Sequence, residues 1–198
     1  MDKVKKALRD FKVKKQKRDL PKSLFEDTSS GFHPKKLEGS WVTCYEFESK
    51  SKSGTETLLH ADIAQLKAVS DRRVTARNTK SSSRTEKHRQ PFLNEIQAEL
   101  VNRHLVGCWK NVNDTFYFGG IHLAVLPGEN MMKGYYTSLS GAVTLTYGSW
   151  TWVRIDHTTI RDKLLKVVLF KPRKIKGILD GHGESDGPLN LRAVVEPS

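Results

Sequence analysis

Hydrophobic and polar residues alternate with a period of two along most of the chain from Gly39 onward, which predicts β-strands. In the first such segment, WVTCYEFE, the residues Trp41, Tyr45 and Phe47 share one face. The longest segment, AVTLTYGSWTWVRI, places Val143, Leu145 and Tyr147 on one face and Gly148, Trp150, Trp152 and Arg154 on the other. Each segment is therefore predicted to be a strand with two chemically different faces.

Short polar turns divide the alternating segments at residues 49–54, 70–72, 102–103 and 127–130, and a longer polar, basic loop spans 80–91. The segment TETLLHADIAQLKAVSD also fits helical spacing through Leu59, Ile63 and Leu66. A strand is favoured there because the turn at 70–72 leads directly into the strand-like VTAR. Counting gives eight strands in up-and-down order. This predicts a mainly β fold, an eight-stranded barrel with its strands between about 39 and 156 and its domain at 37–198.

A glycine precedes a large aromatic residue by two positions at several points in these strands. The pairs are Gly39 with Trp41, Gly107 with Trp109, Gly134 with Tyr136, and Gly148 with Trp150. Residues two apart on a strand share a face, so each glycine is expected to leave room for its ring and to let the strand bend. The repeat predicts a strongly curved sheet with four corners.

The two ends of the chain differ from this pattern. Val4, Leu8 and Phe11 predict a short basic helix within residues 1–20, followed by a linker, so that residues 1–36 form a separate element. After residue 156, the segments LLKVVLFKP and LNLRAVVE look like strands and predict a C-terminal β extension at 157–198. The glycine-rich acidic segment DGHGESDGP between them is predicted to be a solvated turn.

The chain carries 34 Lys and Arg against 22 Asp and Glu, a formal net charge of +12. Residues 1–20 hold nine basic and three acidic side chains, so half of the net positive charge lies in the first tenth of the sequence. Such a charge favours an anionic partner: a nucleotide, a nucleic acid or an acidic surface. Residues 1–20 could touch nucleic acid, a membrane or a partner protein, or they could be a solvated tail.

The sequence offers few signs of catalysis, metal binding or membrane insertion. It has two cysteines without C-x-x-C spacing, Cys44 and Cys108, which are predicted to be buried free thiols. It lacks the G-x-S-x-G and H-E-x-x-H motifs, so a non-enzymatic protein with no metal or cofactor is expected. It also lacks a signal peptide and the roughly 18-residue apolar run of a membrane helix, which predicts a cytoplasmic location.

Aromatic and basic residues mark a candidate ligand site. Small barrels of about eight strands can hold one small ligand inside, and aromatic rings beside a guanidinium suit a nucleobase with a phosphate. The competing interpretation is that these aromatic residues are simply core. Arg103 is expected near Trp109 across a turn, and the serine-rich loop near the barrel mouth. The predicted ligand-binding residues are Trp150, Trp152, Arg154, Trp109, Tyr135, Tyr136, Arg103, Ser82 and Arg84.

The order LEGSW, SSSR, FGGIHLAV, MKGYYTSL and GSWTWVRI resembles a bacterial family of β-barrel sensor domains. These domains belong to the two-transmembrane, β-strand-rich CD-NTase-associated effectors of cyclic-oligonucleotide anti-phage systems. The resemblance covers residues 37–155 and implies a calycin-like, or lipocalin-like, barrel that recognises a cyclic nucleotide. The chain departs from the family in lacking both membrane helices, with the basic segment 1–20 in their place.

The leading hypothesis is a ligand-binding barrel that recognises a small anionic ligand, a cyclic nucleotide signal in anti-phage defence. One alternative is a nucleic-acid-binding or protein-interaction module that uses residues 1–20, with the barrel as scaffold. A second alternative is a carrier of an apolar small ligand. The oligomeric state stays open, with a homo-oligomer as one alternative.

Overall fold

The computed structural model describes residues 32–51, 54–79, 92–114, 116–140, 144–156 and 162–192. Within these ranges the chain forms a 3₁₀ turn, eight strands and two α-helices longer than one turn. The 3₁₀ turn is Pro34–Leu37, and the helices are α1 (Asp162–Phe170) and α2 (Pro172–Asp180). The strands are β1 (Gly39–Ser51), β2 (Gly54–Ala68), β3 (Arg73–Asn78), β4 (Asn94–Val101), β5 (His104–Asn111), β6 (Phe118–Val125), β7 (Met131–Ser140) and β8 (Thr144–Arg154). The predicted helix at 1–20 and the loop at 80–91 lie outside the described residues.

Each strand pairs antiparallel with the next along the chain, and β1 pairs with β8, so the sheet closes into a barrel. This confirms the up-and-down barrel and the assignment of β2 as a strand. The predicted turn between β4 and β5 is also confirmed. Asn102 and Arg103 both have positive φ, at 48° and 64°, as a two-residue hairpin turn that matches strand twist requires.

The inward faces of the strands form the main core. Burial alternates along β4, where Asn94, Ile96, Ala98 and Leu100 point inward. The aromatic members of the four glycine pairs are all buried in this core: Trp41, Trp109, Tyr136 and Trp150. Eight strands therefore enclose an interior in which seven of the described aromatic residues pack among aliphatic side chains.

The glycines make room for neighbouring strands, which differs from the expectation. A Cβ on Gly148 would lie 2.7 Å from Cε1 of Tyr136, whose ring comes from the adjacent strand β7. A Cβ on Gly134 would lie 2.9 Å from the Cα of Leu123 on β6. Gly148 therefore makes room for a ring of the neighbouring strand and Gly134 for the backbone of one, because the curved wall brings adjacent strands closer.

The predicted C-terminal β extension is wrong at its first segment, because LLKVVLF lies in α1 and α2 follows it. Both helices pack on the outside of the barrel, where Leu164, Val168 and Ile175 meet outward residues of β1 and β2. Those outward residues, Val42, Cys44, Ala61 and Ile63, are apolar and need cover. Of the last predicted strand, Leu189 makes a single bridge to Ile155, and residues 193–198 lie outside the described ranges.

Two further expectations need correction. Phe32 and Leu37 are buried in the barrel core, so the residues just before 37 belong to the barrel. Cys44 is buried as predicted, but Cys108 is exposed because it points outward from β5, a face that no described element covers. As for membranes, neither described helix combines the length and apolarity needed to traverse a bilayer.

Candidate functional site

The barrel has two unlike ends. The 3₁₀ turn and the β2–β3, β4–β5 and β6–β7 connections lie at one end, called here the closed end. The opposite ends of the strands, where β5 ends at Asn111 and β7 at Ser140, are labelled here the open end by position only. Leu37 of the 3₁₀ turn is fully buried at the closed end, and its carbonyl accepts a 2.9 Å hydrogen bond from the Trp41 indole. The closed end is therefore sealed by a short helix tied to the first inward tryptophan.

Arg154 completes this seal. Its guanidinium lies over the Trp41 ring, 4.8 Å from the ring centroid, and donates a 2.7 Å hydrogen bond to the carbonyl of Glu38. It also donates to the carbonyl of Lys36. Arg154 was predicted to bind a ligand together with Trp150 and Trp152. The structure places it on their face of β8 but commits its donors to the backbone of the closed end.

Arg103 lies at the closed end as well. Its guanidinium stacks 4.2 Å from the Phe32 ring centroid and donates a 3.0 Å hydrogen bond to the carbonyl of Leu126. A Glu129 carboxylate oxygen lies 3.7 Å away. The expected proximity to Trp109 is wrong, because Trp109 stands six residues further along the chain, toward the open end. At about 3.3 Å per residue, that separation is on the order of 20 Å.

A column of aromatic rings runs through the interior from the closed end toward the open end. Ring centroids lie 6.5 Å apart for Trp41 and Trp152, 5.5 Å for Trp152 and Trp150, and 5.2 Å for Trp150 and Tyr45. Tyr136 then packs edge-on against Trp150 at 5.9 Å and against Trp109 at 6.1 Å. The structure thus brings together four of the predicted ligand-binding residues: Trp109, Tyr136, Trp150 and Trp152.

The four indoles of this column differ in hydrogen bonding. Trp41 donates to the carbonyl of Leu37, and Trp109 donates to the carbonyl of Thr137 at 2.9 Å. Trp150 and Trp152, called here the indole pair, are 3% and 1% exposed, and among the described residues neither Nε1 has an acceptor. Buried indole N–H groups usually find a partner, so this pair marks a place where an acceptor is missing.

Polar side chains line the interior beside the rings. Asp62 is fully buried and accepts from Asn78, while His60 Nε2 lies 3.2 Å from the same carboxylate. Across the barrel, Asn94 is 2% exposed and its side chain is hydrogen-bonded to the Tyr45 hydroxyl. The Asn94 Oδ1 atom has no donor among the described residues. The interior therefore offers two unused donors and one unused acceptor.

Sequence reasoning missed His60, Asp62, Asn78 and Asn94. Polar residues in a strand usually face solvent, and one residue of register decides the face. The available signal was the period of two: in β2, His60 and Asp62 alternate in step with Ala64 and Leu66, which point inward. Trp41 faces inward and pairs with Ala64 on β2, so Ala64 faces inward too. His60 and Asp62 precede Ala64 by four and two residues and therefore share its face.

The tyrosines inside the barrel are neutral phenols over the physiological pH range. Burial raises the pKa of Tyr45 far above its ordinary value, and the Asn94 hydrogen bond opposes this only in part. Burial also raises the pKa of Tyr136 to about 12, and its hydroxyl donates a 2.6 Å hydrogen bond to the carbonyl of Glu46. Tyr136 is thus committed to the backbone, while Tyr45 stands beside the unused acceptor of Asn94.

The remaining predicted residues lie elsewhere. Tyr135 points outward and is half exposed, as its alternation with buried Tyr136 requires. Ser82 and Arg84 fall within 80–91, outside the described residues. Apart from these, the predicted site divides into an interior group on β5, β7 and β8 and two arginines at the closed end.

The chain matches no protein-family model and no curated protein. Among solved structures, a redesigned β-barrel is similar, with 13% sequence identity and a TM-score of 0.41, covering 61% of this chain and 93% of that chain. The barrel assignment rests on the strand pairing itself, and this likeness says nothing about function.

Proposed function

We propose that the barrel binds a small, uncharged, largely apolar ligand in its interior. The observation that carries this proposal is the indole pair, Trp150 and Trp152, whose buried N–H groups have no acceptor among the described residues, near the equally unpaired Asn94 Oδ1. A ligand with one or two acceptor atoms and one donor satisfies all three. Antiparallel barrels of eight strands, the lipocalins among them, hold single small ligands in this way, so the calycin-like mode is part of the proposal.

The charges inside the barrel favour an uncharged ligand over an anionic nucleotide. Asp62 is an acidic side chain that is fully buried in the interior, and an anionic phosphate there would lose its water without a basic side chain to pair with. Arg154 is the one Lys or Arg side chain among the described inward-facing strand positions, and it is held at the closed end, while the inward His60 lies against Asp62. A cyclic nucleotide in anti-phage signalling therefore has less support than the apolar-ligand carrier.

Apolar rings also stand toward the open end, where a ligand would enter. Phe47 packs against Phe92 with centroids 5.4 Å apart, and His60 lies 5.2 Å from Phe92. A ligand passing these rings reaches Tyr45 and then the indole pair. The path is apolar at its edges with polar contacts further in, as in many small-molecule sites.

The test follows the indole N–H signals of ¹⁵N-labelled protein by NMR during titration with an uncharged aromatic probe, N-phenyl-1-naphthylamine. We expect saturable shifts of the Trp150 and Trp152 Nε1–H signals. The signals of Trp41 and Trp109 serve as internal controls, because their N–H groups already donate to backbone carbonyls. A parallel titration with a cyclic dinucleotide tests the anionic alternative.

The W152F variant should weaken probe binding, because it removes one donor and keeps an aromatic ring, while W109F removes a donor that is already used. If the indole-pair signals stay unchanged at saturating probe, or if only the cyclic dinucleotide shifts them, the proposal is wrong. Unchanged signals that exchange rapidly with bulk water would point instead to ordered water at the unpaired atoms.

A further inference from the structure

Two histidines meet on the outer face of the barrel, away from the interior site. His104 begins β5 and His122 lies on β6, and both side chains are partly exposed. The Nδ1 atom of His104 is 2.9 Å from the Nε2 atom of His122. The ring centroids are 4.9 Å apart and the ring planes meet at 61°. The two imidazole nitrogens therefore face each other across a hydrogen bond, and a metal ion that binds both takes the place of the proton between them.

This separation suits a shared metal ion. Two nitrogens bound to one zinc ion at about 2.0–2.1 Å lie about 2.9 Å apart at a right angle and about 3.3 Å apart at the tetrahedral angle. The observed 2.9 Å falls at the near end of that range. Both nitrogens are carried by paired strands, so the backbone holds them close before any ion arrives.

Tyr135 supports the arrangement from the other side of the His122 ring. Its hydroxyl lies 3.2 Å from Nδ1 of His122, and the two rings pack edge-on at 5.4 Å. When Nδ1 carries the proton and donates it to the Tyr135 oxygen, the Nε2 lone pair faces His104. Metal-binding histidines are commonly oriented by such a bond at the second ring nitrogen. Tyr135, predicted for the interior, thus acquires a different role outside.

We propose that His104 and His122 bind a divalent transition-metal ion of the zinc, copper or nickel type. Imidazole nitrogen suits these ions, whereas Ca²⁺ and Mg²⁺ prefer oxygen. Because the described residues contain no group of three His, Cys, Asp or Glu side chains placed for a metal, water completes the coordination. The site is independent of the interior ligand site, so either proposal can fail without the other.

The test is a Zn²⁺ titration of the full chain at constant pH, followed by the imidazole resonances of each histidine and by calorimetry. We expect saturable shifts at His104 and His122 and their loss in H104Q and H122Q. Y135F should bind zinc about tenfold more weakly, because it removes the group that orients the His122 ring. A matching titration with Mg²⁺ should leave both residues unshifted.

The control variant is H33Q, since His33 is a half-exposed histidine whose described partners are the Asp71 carboxylate, at 3.2 Å, and the Lys35 backbone N–H. It should bind zinc at the His104–His122 site as the parent does. Circular dichroism melting of each variant checks that folding is intact, which outward, partly exposed positions favour. The proposal is overturned if millimolar zinc shifts neither imidazole, or if zinc affinity is the same in H122Q and the parent.

Discussion

Trp41 and Trp152 are neighbours on the inward face of the barrel, with ring centroids 6.5 Å apart and both side chains buried. Trp41 donates its N–H to the carbonyl of Leu37, whereas Trp152 has no acceptor among the described residues. Residue type, burial and strand face are the same for both. What separates a sealing residue from a candidate binding residue is therefore whether its polar atom is used.

The same contrast holds for the surroundings of the two tryptophans. Around Trp41, Arg154 supplies donors to the carbonyls of Glu38 and Lys36, and Arg103 supplies one to Leu126. In the middle of the barrel, the Asn94 Oδ1 atom and the two N–H groups of the indole pair are left without partners in the described part of the chain. The polar atoms of the closed end are therefore paired as in an ordinary core, and the unpaired ones on which the proposed function rests lie in the middle of the barrel.

The largest effect on stability is expected from a substitution at the closed end. R154M should lower the free energy of unfolding by about 2–4 kcal/mol, because two carbonyls lose charged donors and Trp41 loses its cation contact. Urea denaturation with a constant m-value measures the change. R73M is the control: Arg73 makes an exposed ion pair with Glu99, and its loss should cost at most about 1 kcal/mol. Equal losses in the two variants would contradict the sealing role.

A smaller effect on stability is expected when the two tryptophans are substituted in the same way and compared. W41F and W152F delete the same atoms, but only the first leaves a carbonyl without its donor. We expect W41F to be less stable than W152F by about 1–3 kcal/mol in urea denaturation of the ligand-free protein. Equal stabilities would mean that the Trp152 N–H is satisfied in solution, and the contrast between the two positions would disappear.

The smallest expected effect concerns the outer face. The hydrogen bond from Lys110 lowers the pKa of Glu95, burial opposes it, and the nearby Arg77 guanidinium adds to the lowering, so that the pKa is lowered overall. A lowered folded-state pKa means that the stabilisation is present above the unfolded value of about 4.3 and is lost as pH falls through the folded value. E95Q should cost at most about 1 kcal/mol at pH 7 and nothing at pH 2. A cost independent of pH would contradict this origin.

The strands and their order follow from the sequence because one face of each strand is buried and the other is not, so the pattern is visible without a structure. The helix α1 was missed because LLKVVLF is a continuous apolar run, which periodicity alone cannot assign. The glycine–aromatic repeat drew attention to Trp150, whose ring lies inside the barrel beside that of Trp152. Arg103 and Arg154 were misjudged because their partners are backbone carbonyls of the 3₁₀ turn and the β6–β7 connection, which no sequence pattern reveals.

β1 pairs with its two neighbouring strands over unequal lengths, and this difference determines where the barrel opens locally. β1 pairs with β2 along its 13 residues but with β8 over Trp41 to Tyr45. Just beyond Tyr45, the Tyr136 hydroxyl of β7 reaches past Gly148 of β8 to the carbonyl of Glu46 on β1 and so links the strands on either side of β8. Local opening should therefore begin at this seam, where amide hydrogen exchange will be faster than at Val42 to Cys44. We therefore expect the strength of the Tyr136 hydrogen bond to set how often the barrel opens at this seam. It would change the rates at which a ligand enters and leaves the interior, rather than the affinity for that ligand.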